Sequence, residues 1–224
     1  MRRLLQPHIA PGKFKLITMT TTTQRNTIDQ KYLLNTMSYA AYRQLVSELL
    51  AQGKVTGPQQ SESLLNYSKM NVQRMQRIDK TVQVLPEVRA VITAIQQPQT
   101  WLVLTEGWCG DAAQILPVLN AMAQLNPAIE LKLLLRDEHL DLMDQYLTNG
   151  KSRSIPKLIA IDNDSMQELF NWGPRPTVLQ QSFNSMRAED IAGSIITEKI
   201  HSWYAKDKTV TTQKEIAGLL QGVQ

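Results

Sequence analysis

The chain of 224 residues is long enough for one domain with an appendage, and hydrophobic residues make up 42% of it, enough for a core. Its single cysteine excludes a disulfide-stabilised scaffold and favours a reducing compartment, so we expect a cytoplasmic protein. No apolar run reaches the roughly 18 residues that cross a membrane. Prolines and basic residues interrupt residues 1–18 too often for a signal peptide.

The N-terminal tail, residues 1–37, accounts for the net positive charge of the chain. Five basic residues precede the first acid, Asp29, in a chain of net charge +4, so the remainder sums to about −1. The threonine run at 20–23 and the polar, basic composition predict a disordered tail. Because the rest of the chain is nearly neutral, we expect neither a nucleic-acid partner nor a membrane partner.

Two amphipathic helices are predicted to form a helical extension over residues 38–84. Ser38 is a good N-cap for a helix that ends near Gly53, and a second helix runs from about Ser61 to Val82. Each helix has an apolar side that it cannot bury alone, so we expect packing on the rest of the chain or on a second copy in a homodimer. The residues expected to supply this contact are Val46, Leu49, Leu50, Met75 and Ile78.

From residue 85 to 224 the pattern predicts one α/β domain. After a helix over 86–96 come strand 101–105, helix 111–125, strand 129–135, helix 138–148, strands 157–161 and 167–171, and helix 176–205. Early alternation of strands and helices favours parallel pairing, and a tight turn at 162–165 adds an antiparallel hairpin. We therefore predict a mixed central sheet flanked by helices.

The only cysteine, Cys109, lies where strand 101–105 enters helix 111–125. Unpaired backbone N–H groups and the helix dipole favour negative charge at such a position, and the thiolate is the reactive form of cysteine. We therefore expect an accessible, activated thiol. Asp111 opposes this, because a nearby carboxylate raises a thiol pKa. A plain helix cap is the other role open to Asp111.

The segment Trp108-Cys109-Gly110-Asp111-Ala112 resembles the Trp-Cys-Gly-Pro-Cys active site of thioredoxins. The resemblance continues in Ser154-Ile155-Pro156, which is similar to the family's cis-proline segment, and in a last strand that ends in Gly173. It spans roughly residues 85–207 and implies a thioredoxin-like fold. It also implies that Pro156 follows a cis peptide, faces Cys109 and exposes the Ile155 backbone to a substrate, with Trp108 and Gly110 beside the thiol.

Two departures from the thioredoxin pattern leave the function open. Ala112 replaces the second cysteine, so no internal disulfide can form, and Val103 stands where thioredoxins usually carry a buried acid. One hypothesis is a monothiol oxidoreductase, in which Cys109 attacks a mixed disulfide and an external thiol resolves the adduct. In it Cys109, Asp111 and Pro156 form the catalytic set. The alternative is a non-enzymatic binding module that has lost redox turnover.

Three arginines are predicted at the binding edge of the sheet. Arg136, Arg153 and Arg175 lie at or beside strand ends, where α/β proteins bind ligands. Their guanidinium groups can hold a thiolate or the carboxylates of a glutathione-like thiol. The alternative is that each makes a structural ion pair, for instance Arg136 with Asp137 or Glu138.

The expected partner is a protein or low-molecular-weight thiol or disulfide substrate. We predict no cofactor, except glutathione or another low-molecular-weight thiol as co-substrate. We predict no metal site, because the three histidines are scattered and show no ligand spacing.

Overall fold

The computed structural model describes residues 26–223. Its helices are α1 Lys31–Leu34, α2 Tyr39–Ala51, α3 Glu62–Thr81, α4 Pro86–Ala94, α5 Gly110–Ala123, α6 Leu140–Met143, α7 Thr177–Ala188, α8 Gly193–Asp207 and α9 Val210–Gln221. Its strands are β1 Gln99–Thr105, β2 Ile129–Leu135, β3 Lys157–Asp162 and β4 Glu168–Trp172. Within this range, no helix is both long and apolar enough to span a membrane.

The four strands form one mixed sheet in the order β2-β1-β3-β4. β1 pairs parallel to β2 and antiparallel to β3, and β3 pairs antiparallel to β4. Every residue of β1 is buried, as expected for a central strand between two neighbours. The predicted fold class is therefore confirmed, and all four strands lie within two residues of their predicted bounds.

Two predicted helices are wrong in extent. The helix over 138–148 is replaced by the short 3₁₀ turns Arg136–Glu138 and Asp144–Tyr146 on either side of α6. The first turn begins where the Asp137 N–H donates to a Glu106 carboxylate oxygen at 2.9 Å. The helix over 176–205 is divided into α7 and α8, because Asp190 adopts a positive φ of 54° that a helix cannot continue through.

The last helix, α9, was not predicted. It follows Lys208 and Thr209, which both have positive φ and so reverse the chain direction after α8. Ile216, Ala217 and Leu220 of α9 are buried, and the helix contacts α4 and α5. The core therefore includes the C-terminal segment that the sequence pattern left unassigned.

Residues 26–37 are ordered, contrary to the disorder predicted for residues 1–37; the rest of that prediction lies outside the described residues. Ile28 and Tyr32 are buried, because their apolar side chains pack into the main core. The Ile28 N–H donates to the Met166 carbonyl at 2.8 Å, and the backbone of Met37 exchanges two hydrogen bonds with Leu133.

The helical extension packs on the α/β domain. α3 lies along α5, the helix that follows Cys109, and α2 contacts both α3 and β2. Val46, Met75 and Ile78 are buried in the shared core, whereas Leu49 and Leu50 are only half-buried. Ser38 caps α2 as predicted, and Ser61 caps α3; each hydroxyl oxygen accepts a hydrogen bond from the backbone N–H three residues ahead. The extension therefore forms one wall near the cysteine.

Candidate functional site

Cys109 is the N-cap residue of α5 and touches the segment before Pro156. Its sulfur accepts the Ala112 N–H at 3.4 Å, and its S–H donates to the Ile155 carbonyl oxygen at 3.2 Å. The Ile155–Pro156 peptide bond is cis. The expectation that Pro156 follows a cis peptide and lies beside the cysteine is confirmed.

The Cys109 thiol is not activated in this conformation. Its side chain is buried, with only 8% of the residue exposed, and burial raises the pKa of the thiol to about 12. The Asp111 carboxylate is the next cause that raises this pKa, while the Ala112 N–H and Arg175 lower it. The N–H groups at the helix N-terminus therefore lower the pKa of Cys109 as predicted, but desolvation raises it by more. The prediction of an accessible, activated thiol is wrong for this conformation.

Asp111 belongs to a buried network rather than to a helix cap. Its carboxylate forms an ion pair with Arg175 at 2.7 Å and accepts a hydrogen bond from the Tyr204 hydroxyl at 3.0 Å. Burial raises the pKa of Asp111, whereas Arg175 and Tyr204 lower it. The carboxylate is thus held next to Cys109 by partners from the loop before α7 and from α8.

A cleft of about 770 Å³ opens over Cys109. α3 contributes Leu64 and Tyr67, and the loop before Pro156 contributes its residues 152–155. The α7–α8 pair contributes the remaining wall, which includes Phe183, Arg187, Gly193, Ile196, Thr197, Ile200 and His201. Trp108, Gly110, Arg136 and Arg175 also belong to the lining, together with Cys109 and Asp111, so all the predicted binding residues meet at one cleft.

The three predicted arginines both line the cleft and pair with acids. Arg136 donates to Asp137 through two nitrogens at 2.6 and 2.9 Å and to the Arg153 carbonyl at 3.0 Å. Its guanidinium carbon lies 5.1 Å from the centroid of the Trp108 ring. Arg153 pairs with Asp144 at 2.6 and 2.7 Å, on the exposed rim. Each of the three arginines therefore makes the ion pair posed as one alternative, Arg175 with Asp111, and the ligand-binding role posed as the other stays a prediction.

His201 and Tyr204 are site residues that the sequence did not indicate. The His201 imidazole packs on Gly110, where a Cβ would lie 2.9 Å from its Cε1 atom. Burial, followed by the charges of Arg74 and Arg175, lowers the pKa of His201 to about 4, so the ring is neutral at pH 7. Both residues lie about 90 positions downstream of Cys109, inside a helix whose pattern gives no sign of the site.

Glu106 is a buried acid three residues before Cys109. It is fully buried; its Oε1 atom accepts the Asp137 N–H, and its Oε2 atom has no hydrogen-bond partner in the described structure. Burial raises the pKa of Glu106 to about 6. Val103, at the position of the family's acid, is also fully buried in β1. The interior near the thiol thus holds Glu106 as well as Asp111, and neither stands at the position of the thioredoxin acid.

Residues 26–223 contain no group of three or more histidine, cysteine or acidic side chains that could hold a metal ion. The lining of the cleft offers one thiol, four guanidinium groups, a neutral imidazole, several hydroxyl groups and one buried carboxylate.

Comparison with known proteins places this site in a family. A family model described as thioredoxin matches residues 57–187, more than half of the chain, so the protein belongs to the thioredoxin-like family. A thioredoxin-like domain supports a redox or thiol-binding role. No curated protein matches the chain.

Two solved structures share the fold. A protein of unknown function from Pseudomonas aeruginosa has 17% sequence identity and a TM-score of 0.53, over 84% of this chain and 99% of that one. An HIV epitope scaffold has 16% identity and a TM-score of 0.52, over 84% of this chain and 100% of the scaffold. At this level of identity the similarity concerns the fold alone.

Proposed function

We propose that the protein is a monothiol thiol–disulfide oxidoreductase that acts on mixed disulfides through Cys109. The observation that carries the proposal is the position of the Cys109 sulfur, 3.2 Å from the Ile155 carbonyl and on the lining of the cleft. A disulfide that entered the cleft would meet this sulfur and the backbone before Pro156 together. Ile155 and Pro156 would dock the substrate, with Trp108 and Gly110 beside the reacting atoms.

The proposed reaction has two exchange steps. The Cys109 sulfur attacks one sulfur of a mixed disulfide, a new S–S bond forms, and the other sulfur leaves as a thiolate that takes up the proton lost by Cys109. An external thiol then attacks the adduct, forms a disulfide with its substrate half and restores the Cys109 thiol. An external thiol is needed because the chain holds no second cysteine. We propose a reducing, cytoplasmic setting with a low-molecular-weight thiol in this role.

The buried state of Cys109 favours a second candidate function. Burial raises the pKa of Cys109 to about 12, so the thiolate is rare at pH 7 and the resting thiol is a slow nucleophile. Its S–H is also engaged with the Ile155 carbonyl. A non-enzymatic module would bind a ligand in the same cleft and leave Cys109 as a packing residue.

Turnover separates the two functions. A glutathionylated peptide and excess glutathione would be incubated with wild-type protein and with Cys109→Ser, and release of the free peptide would be followed. We expect catalysed release by the wild type and none by Cys109→Ser above the uncatalysed rate. If neither protein accelerates release, and both bind the peptide equally in a binding assay, the protein is a binding module and the proposed oxidoreductase function is wrong.

A further inference from the structure

The cleft over Cys109 is enclosed by elements on several sides. α3 of the extension supplies Leu64 and Tyr67, and α8 supplies Ile196 and Ile200, so apolar side chains come from distant parts of the chain. Its volume of about 770 Å³ falls within the range of roughly 300–1,000 Å³ that is typical of small-molecule sites. With only 8% of Cys109 exposed, a small disulfide can approach the sulfur more readily than a disulfide on a protein surface.

The polar part of the lining is strongly cationic. Four arginines border the cleft, namely Arg136, Arg153, Arg175 and Arg187, but Asp111 is the only carboxylate among the lining residues. Asp111 is buried and already paired with Arg175. Asp137 and Asp144 pair with Arg136 and Arg153 from outside the lining. A ligand in the cleft therefore meets guanidinium groups rather than acids.

Arg187 differs from the other three arginines. Within residues 26–223, no carboxylate lies within ion-pair distance of its guanidinium group. Glu189 and Asp190 follow it in the turn after α7, but both are exposed and neither pairs with it. Arg187 is exposed, so its guanidinium can bind a ligand without first breaking a protein ion pair. A carboxylate is the partner that its planar pair of donors matches best.

We propose that this cleft selects small disulfides that carry carboxylate groups, and that Arg187 is the residue that sets this specificity. The inference rests on the proposed function, whose substrate class it names. The carboxylate binds Arg187 and the apolar part of the ligand packs on the α3 and α8 side chains. Cys109 then forms an S–S bond with one half of the ligand, and the other half leaves as a thiol that carries the Cys109 proton.

Three small disulfides of similar length and different charge test the proposal: dithiodipropionate, with two carboxylates; bis(hydroxyethyl) disulfide, which is neutral; and cystamine, with two ammonium groups. The rate of mixed-disulfide formation at Cys109 would be followed by intact-protein mass. We expect dithiodipropionate to react about tenfold faster than the neutral compound, because its carboxylate pairs with Arg187, and cystamine to be slowest.

The Arg187→Gln variant should lose most of this preference, so that its rates with dithiodipropionate and with the neutral disulfide become similar. Arg89→Gln is the matched control, because Arg89 is an exposed arginine on α4 outside the cleft. It should behave as the wild type. Equal rates with all three compounds, or the same preference in Arg187→Gln as in the wild type, would overturn the substrate class.

A binding measurement separates this inference from the reaction itself. Calorimetric titration of Cys109→Ser with the same compounds should show about tenfold tighter binding of dithiodipropionate than of the neutral disulfide. If the wild type reacts with none of them but Cys109→Ser keeps this order, the oxidoreductase function fails and the ligand class stands. If the wild type reacts with all three and Cys109→Ser shows no preference, the function stands and the ligand class fails.

Discussion

Replacing Asp111 with asparagine should lower the pKa of Cys109 substantially. The Asp111 carboxylate is one of the two main causes that raise this pKa to about 12, and Arg175 opposes it. Asp111→Asn removes the negative charge and leaves the Arg175 guanidinium without its 2.7 Å partner, so both changes favour the thiolate. A neighbouring charge shifts a pKa by about 1–3 units, and each unit is worth about 1.4 kcal/mol. We expect a fall of that size in the midpoint.

The midpoint would be measured as the rate of Cys109 alkylation against pH, together with unfolding in urea. Breaking a buried ion pair costs about 3–5 kcal/mol, so Asp111→Asn should also unfold more easily. Asp144→Asn is the control, because it removes a carboxylate from an equally close arginine pair on the exposed rim. An unchanged midpoint in Asp111→Asn, or an equal fall in Asp144→Asn, would refute the electrostatic argument.

Three further predictions concern stability. Glu106→Gln should raise the free energy of unfolding by about 2 kcal/mol at pH 7 but should not change it below about pH 4. The reason is that a folded-state pKa of about 6 makes the wild type lose stability as the pH rises from about 4.5. Urea unfolding at both pH values tests this prediction, and an equal effect at both would contradict it. Gly173→Ala should destabilise the protein by about 2 kcal/mol or more, because Gly173 has a φ of +115° and a Cβ added there would lie 2.3 Å from the Pro156 carbonyl oxygen. Both the thermal unfolding temperature and the Cys109 alkylation rate should change. If neither changes, the two backbone segments can move apart and the steric argument fails. Deleting residues 1–84 should lower the melting temperature or cause aggregation, because it exposes the α5 surface that α3 covers; a soluble, equally stable fragment would make the extension an independent module.

The sequence predicted the sheet well and the state of the thiol poorly, for a physical reason. A buried strand such as β1 has a local pattern of apolar residues, and the Trp108–Ala112 motif indicated that Cys109 lies at a helix start. The surroundings of Cys109 are instead completed by elements that are far away in the chain, because α3 packs on α5 and His201 of α8 packs on Gly110. The contact between Tyr204 and Asp111 joins residues 93 positions apart and has no local pattern.

Helix boundaries failed where single residues changed the backbone direction. Asp190 adopts a positive φ just after α7, in a segment whose apolar spacing predicted one continuous helix. Thr209 adopts a positive φ just before α9, in a segment for which the spacing gave no prediction. The arginine cluster was predictable in position because strand ends converge at one edge. The sequence posed the Arg136–Asp137 pair, but it could not indicate the acids that pair with Arg153 and Arg175, because Asp144 and Asp111 reach them from other elements.

The segment of residues 26–37 reaches both outer strands of the sheet. The Asn26 carbonyl accepts the Glu168 N–H at the start of β4, and the Met37 backbone pairs with Leu133 in β2, the strand at the opposite border. An unpaired border strand is a template on which another chain can add a strand, and proteins commonly cover such borders. Here one short segment covers part of both edge strands. Its loss would therefore promote edge-to-edge association even where the core stayed folded.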